Sequence, residues 1–170
     1  RTPTPLTTNG IDLAVIDELA GKTTREEVRR TLLDTASRFF GEDVSDAALV
    51  AISGRYEFHN KGIDLLLDTA AKLNGQKGRR IVLFALVPAG NSGVKSEYLD
   101  RRERPLAELQ GSLGISTHNL FDTERDPVHE RVKALGLDQG ADRRVRVIQV
   151  PIYLAPNDGF WNLSYQAVLR

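Results

Sequence analysis

The residues best suited to chemistry in this chain of 170 residues lie in one short stretch, residues 53–62 (SGRYEFHNKG). Arg55 carries a planar guanidinium that can form two parallel hydrogen bonds, and Lys61 carries a compact ammonium group. Together the two cations suit a diphosphate. The simpler interpretation is that both are solvated loop charges, one of them paired with Glu57 or Asp64. Spacing alone leaves both interpretations open.

The elements around this stretch place it where a ligand would bind. The apolar run Ala47–Ser53 (AALVAIS) predicts a strand that is covered on both faces. Apolar residues at helical spacing from Ile63 to Leu73 predict a helix directly afterwards, with Asn60 as its cap. In doubly wound sheets, ligands bind outside the carboxyl ends of the strands, and a helix start there offers unpaired amide donors.

The remaining elements indicate the α/β class. Short apolar strands alternate with amphipathic helices, which favours right-handed crossovers between parallel strands. We expect an incomplete Rossmann-like sheet of about three core parallel strands with helices on both faces. The further elements are a helix opened by a capping box at Thr23 or Thr24 and ended by Gly41, a strand at Ile81–Val87, a helix opened by Asp126 and Pro127, and a strand at Arg144–Val150. The last strand alternates polar and apolar residues, which predicts one exposed face and a place at a sheet edge.

Composition excludes several classes of protein and site. The 23 basic residues balance the 23 acidic ones, so no global charge attracts nucleic acid or an anionic membrane. No cysteine is present, which excludes disulfides and thiolate metal sites and is compatible with a reducing cytoplasm, where we expect the protein. The histidines His59, His118 and His129 show no metal-ligand spacing, so we expect no metal and no cofactor. Neither a Walker loop nor a dinucleotide-binding glycine pattern nor a nucleophile elbow occurs.

Residues 54–62 (GRYEFHNKG) resemble the Gly-Arg-Tyr-Glu-Phe-Ser-Asn-Lys-Gly stretch of animal and fungal glycogen synthases, and only His59 departs from it. That family consists of retaining glycosyltransferases of the two-lobed GT-B fold. Further similar stretches follow in the family's order. They are Thr8-Asn9-Gly10, residues 70–74 (AAKLN), residues 117–120 (THNL), Asp126-Pro127, Leu135-Gly136-Leu137 and Asp142-Arg143.

The resemblance implies a role for each candidate residue. Arg55 and Lys61, which follow Gly54, would hold the diphosphate of a nucleotide-sugar donor, UDP-glucose or ADP-glucose. Tyr153 and Tyr165 match the two aromatic positions that hold the base. The acceptor would be an α-1,4-glucan, bound in the intact enzyme.

The resemblance also implies a domain plan. Residues 1–10 would be a hinge, residues 11–46 a leading helical segment, and residues 47–170 a partial nucleotide-sugar-binding lobe with a surface insert at 89–117. We expect that insert to be irregular apart from a charged surface helix near Ser96–Leu109. Because the family's Glu-x7-Glu motif and acceptor lobe are absent, we expect these 170 residues to be inactive alone.

Two other functions remain open at this point. The chain could belong to another nucleotide-sugar glycosyltransferase that builds sucrose or a cell-wall glycan, or it could be a noncatalytic α/β binding domain. The strand order of doubly wound sheets also leaves the strand Ala47–Ser53 at an open edge. We therefore expect this edge to be covered by the chain termini or by a second copy of the chain.

Overall fold

A computed structural model describes residues 10, 12–138 and 143–169. Residues 1–9 of the predicted hinge, and Asp142 of the last similar stretch, lie outside the described residues. The described helices are α1 Leu13–Ala20, α2 Arg25–Phe40, α3 Ile63–Asn74, α4 Ser96–Arg102, α5 Pro127–Ala134 and α6 Tyr165–Leu169, with a short 3-10 turn at Leu106–Glu108. The described strands are β1 Ala48–Ser53, β2 Ile81–Leu86, β3 Asn91–Val94, β4 His118–Leu120 and β5 Val145–Gln149.

Three strands form one parallel sheet in the order β1, β2, β5. The β1–β2 register runs from Ala48 opposite Ile81 to Ser53 opposite Leu86. The chain passes from β1 to β2 through α3, and it reaches β5 through α5. This arrangement confirms the predicted α/β class and the partial Rossmann-like sheet.

Helices cover both faces of this sheet, because successive side chains of a strand point to opposite sides. Phe84 of β2 faces α2 and α6, whereas Leu83 faces α3 and α5. The first face adds an aromatic cluster in which Trp161 packs edge-on against Phe84 with a centroid distance of 5.6 Å. The sheet is therefore packed between two apolar layers.

Two helices begin where local sequence signals predict, and a third begins without its predicted cap. Thr24 accepts a hydrogen bond from the Glu27 amide at 3.2 Å, and the Glu27 carboxylate accepts one from the Thr24 amide at 2.7 Å, which is the predicted capping box. Asp126 caps α5, with Pro127 at its first position. Asn60 does not cap α3, because the helix begins after Gly62, whose φ of 68° lies in the left-handed region.

Two predictions of strand burial are wrong. β1 is only half covered: Val50 is 38% exposed, because β1 is the terminal strand of the sheet and, among the described residues, pairs with β2 alone. β5 has no exposed face. Its polar Arg146 is buried, where it forms an ion pair with Glu42 and its guanidinium carbon lies 3.9 Å from the centroid of the Phe40 ring.

The stretch 89–117 contains more structure than expected. β3 pairs with β4 in an antiparallel ribbon, and α4 ends at Arg102 rather than near Leu109. α4 also contributes to the core, since Tyr98 is buried against Phe39 and Phe160. In the part of the chain that the structure describes, no helix combines the length and the apolar character needed to cross a bilayer.

Candidate functional site

The loop between β1 and α3, residues 54–62, lies at the carboxyl edge of the sheet, as predicted. Gly54 has a φ of 147°, which favours glycine, and the chain turns there directly after β1. The Lys61 side chain passes over this turn, since a Cβ built on Gly54 would lie 4.0 Å from Lys61 Cδ. The lysine therefore returns to the point where the strand ends.

Glu57 contacts both Arg55 and Lys61, the first through its side chain and the second through its backbone. Its carboxylate forms an ion pair with the Arg55 guanidinium at 2.9 Å, and its backbone carbonyl accepts a hydrogen bond from the Lys61 amide at 2.9 Å. The Arg55 side chain is 76% exposed. The pairing with Glu57 is the one anticipated for a solvated loop charge. An exposed pair of this kind contributes only about 0–1 kcal/mol, so Arg55 can exchange it for another anion at little cost.

The expected unpaired amides at the start of α3 are not found. The amides of Gly62 and Ile63 donate to the carbonyls of His59 and Phe58, both at 3.0 Å, and the Leu65 amide donates to the Asp64 carboxylate at 2.8 Å. An anion at this loop would therefore depend on the side chains of Arg55 and Lys61 more than on these amides.

Tyr56 fastens the loop to a distant part of the chain. Its hydroxyl accepts a hydrogen bond from the Val128 amide at 3.0 Å, close to the buried carboxylate of Asp126. The same carboxylate accepts the His129 amide at 3.0 Å and the side-chain amide of Gln149 at 3.3 Å. Burial raises the pKa of the Tyr56 phenol, and the nearby Asp126 carboxylate raises it further.

The two candidate base contacts lie after β5 and differ in exposure. Tyr153 is 72% exposed and lines a cleft of about 390 Å³ between the segment 88–91 and Pro151. Tyr165 is half-buried against the core, and its hydroxyl donates to the Ile152 carbonyl at 3.2 Å. Burial raises the pKa of Tyr165, and the nearby Tyr153 adds to this shift. The structure thus brings both tyrosines to one neighbourhood, with Tyr165 largely engaged in packing.

The three histidines lie in separate environments. His59 Nδ1 lies 2.7 Å from the Asp64 carboxylate on the exposed loop. His118 and His129 are buried, and burial lowers the pKa of both imidazoles. Within residues 10, 12–138 and 143–169, no three histidine or carboxylate side chains are grouped so that they could hold a metal ion.

The known proteins to which this chain is similar agree with the resemblance that the motifs indicate. No protein-family model matches the chain. Liver glycogen [starch] synthase of Mus musculus is 22% identical over 187 residues, which cover 78% of this chain and 27% of that protein. The Homo sapiens liver protein gives the same values. Glycogen [starch] synthase isoform 1 of Saccharomyces cerevisiae is 22% identical over 194 residues, covering 77% of this chain and 27% of the yeast protein.

Over most of its length this chain is similar in sequence to glycogen synthases. The similarity spans about a quarter of the length of the curated relatives that the chain matches. It supports the resemblance that the sequence motifs indicate, at the level of a region rather than a whole enzyme.

Sequence reasoning missed the hydrogen bond from the Val128 amide to the Tyr56 hydroxyl, beside the buried Asp126 and Gln149. Asp126 was predicted only as a helix cap, and Tyr56 stood out only as part of the motif. Val128 follows Tyr56 by 72 residues. Nothing in the periodicity of the chain links positions so far apart, so the contact emerges only from the fold.

Proposed function

We propose that this chain supplies the donor-binding part of a retaining GT-B glycosyltransferase of the glycogen synthase type. The enzyme would transfer glucose from UDP-glucose or ADP-glucose to the 4-hydroxyl of an α-1,4-glucan in the cytoplasm. The observation that carries the proposal is the position of Arg55 and Lys61 on a turn at the carboxyl end of β1, within a region similar to glycogen synthases.

The chemistry needs cations at this place. Negative charge collects on the diphosphate oxygens as the bond to the sugar breaks. A guanidinium can bind two of these oxygens in parallel, and an ammonium adds a point charge. Groups fixed in advance where charge develops stabilise the transition state most. Arg55 would release Glu57 and bind the leaving diphosphate together with Lys61.

Tyr153 is the better candidate for stacking on the base, because its ring is exposed beside the cleft that follows β2 and β5. Tyr165 would support Tyr153 through its hydrogen bond to the Ile152 carbonyl. The acceptor lobe and the Glu-x7-Glu motif would come from other parts of the enzyme. These 170 residues alone should therefore transfer no glucose.

The test measures transfer of labelled glucose to glycogen by the protein that contains this chain. Arg55→Ala and Lys61→Ala should each lower kcat/KM for the donor by about 100-fold or more, the usual effect of removing one group that stabilises developing charge. The parent protein is assayed with UDP-, ADP- and GDP-glucose, so that the donor is identified in the same experiment.

Matched controls separate this effect from a general loss of positive charge. Arg80 is 41% exposed and forms an ion pair with Asp46 at the amino end of β2, the sheet edge opposite the loop, so Arg80→Ala removes a similar exposed pair there. Lys77→Ala removes an exposed lysine beyond α3. Both controls should transfer glucose normally. Unchanged transfer by Arg55→Ala and Lys61→Ala would refute the proposed function, and preference for a non-glucose donor or a non-glucan acceptor would point to another glycosyltransferase.

A further inference from the structure

Tyr56 lies directly beside Arg55 but faces the opposite way, into the protein. The Arg55 side chain is 76% exposed, whereas the Tyr56 ring packs with Phe58 against the apolar layer beneath α3 and α5. The chain bends at these residues, and the Glu57 amide donates a hydrogen bond to the Arg55 carbonyl at 2.7 Å. The chain is thus held at Tyr56 while the neighbouring cation faces solvent.

The Tyr56 hydroxyl lies among buried polar groups rather than in an apolar pocket. It accepts a hydrogen bond from the Val128 amide at 3.0 Å, close to the Asp126 carboxylate at the start of α5. Asp126 is only 6% exposed and also accepts the side-chain amide of Gln149, which is fully buried at the end of β5. A buried carboxylate is costly unless donors surround it, so this arrangement tolerates little displacement.

Burial raises the pKa of the Tyr56 phenol, and the nearby Asp126 carboxylate raises it further, so the hydroxyl stays protonated while it accepts the hydrogen bond from the Val128 amide. Phenylalanine at this position would fill the same space, but it would leave the Val128 amide without its acceptor.

We propose that Tyr56 is a positioning residue: by anchoring the 54–62 loop to the Val128 amide in the first turn of α5, it fixes the point from which Arg55 reaches the diphosphate. This inference rests on the proposed function. A small displacement of a binding group from its productive position lowers the reaction rate even when the group itself is intact. Tyr56 would act only through Arg55, without touching the donor.

A double-mutant cycle tests this coupling in the intact protein. Tyr56→Phe should lower kcat/KM for the donor by about tenfold in the parent protein. In the Arg55→Ala background it should change kcat/KM by less than about twofold, because the residue through which it acts is gone. Tyr98→Phe is the matched control, since Tyr98 is also buried but lies on α4, and it should change kcat/KM by less than about twofold in both backgrounds.

A second measurement does not depend on glucosyl transfer. Backbone heteronuclear NOE values report motion on the picosecond to nanosecond scale. In Tyr56→Phe these values should fall for residues 54–61, whereas in Tyr98→Phe they should stay at the parent level. This readout decides whether the tyrosine holds the loop even where no donor binds.

The outcomes are distinguishable. If Arg55→Ala leaves transfer unchanged, the proposed function is wrong, and the NOE values alone decide whether Tyr56 anchors the loop. If Arg55→Ala lowers kcat/KM as expected but the effects of Tyr56→Phe and Arg55→Ala multiply, the donor site stands and the positioning role is overturned. Unchanged NOE values in residues 54–61 would also overturn it.

Discussion

The buried imidazole of His118 should make the protein less stable below neutral pH. His118 is 3% exposed, its Nδ1 lies 2.8 Å from the Thr117 hydroxyl, and its ring packs edge-on against Phe160 at a centroid distance of 5.1 Å. Burial lowers the pKa of His118 from 6.5 to about 4, even though the Asp158 carboxylate opposes the shift. The folded protein therefore leaves this ring neutral at a pH where the unfolded chain protonates it.

The sign and size of the effect follow from proton linkage. Between pH 6.5 and about 4 the unfolded chain binds a proton at His118 that the folded chain does not bind. The free energy of unfolding should thus be highest above pH 6.5 and fall as the pH is lowered, by about 1.4 kcal/mol per pH unit within this window. The full loss is on the order of 3 kcal/mol, and about 2 kcal/mol of it occurs by pH 5.

Urea unfolding at pH values from 7.5 to 5.0 measures this slope above the range in which carboxylates titrate. His118→Gln should remove most of the slope, whatever its effect on stability at pH 7.5. His129 should account for a smaller part, because burial lowers its pKa as well. An equal slope in the parent protein and His118→Gln would refute the reasoning, as would an NMR titration of the folded His118 ring with a midpoint near 6.5.

Two further predictions concern stability and association. Thr24→Ala should lower the free energy of unfolding by about 1 kcal/mol through loss of the capping box, whereas Thr23→Ala, one residue outside it, should not; equal losses in urea unfolding would contradict the assignment. The open edge of β1 predicts self-association of the 18.8 kDa chain in light scattering, and Val50→Lys should restore the monomer by placing a charge on that edge. A parent chain that is monomeric while the β1 amides exchange readily with solvent would contradict this prediction.

Elements with strong local signals were predictable from the sequence. The capping box at Thr24 and the pair Asp126-Pro127 set helix starts through contacts within four residues, so their own residues suffice to predict them. The apolar runs that became β1 and β2 were recognisable because strands in a parallel sheet are short and almost entirely apolar. The place of the loop with Arg55 followed from these elements.

Burial and long-range pairing were less predictable. The alternation in β5 suggested an exposed face, but Arg146 finds its carboxylate on Glu42, which precedes it by 104 residues. The ribbon formed by β3 and β4 has little intrinsic strand propensity, and contacts such as those from the Asn91 side chain to the Ala89 and Pro151 carbonyls, both at 2.9 Å, hold it. Such contacts depend on the folded topology, which no local pattern encodes.

The candidate site was likewise predictable only in part. Residue types and a motif were enough to single out Arg55 and Lys61, because the chemistry of a diphosphate demands cations. One of the two cations was expected to pair with Glu57 or Asp64, and in the structure Arg55 pairs with Glu57. The support from Tyr56 could not be foreseen, since it depends on how α5 packs beside the sheet.

The single-sided pairing of β1 links local unfolding at the sheet edge to order in the loop that follows. Among the described strands of the parallel sheet, β1 has a free edge and exposed side chains at its centre, so its amides should exchange with solvent sooner than those of β2. Ser53 ends this strand and Gly54 begins the loop, so each opening of β1 also releases the backbone that carries Arg55. Any segment that completes the edge would thereby shorten the time that the guanidinium spends out of place.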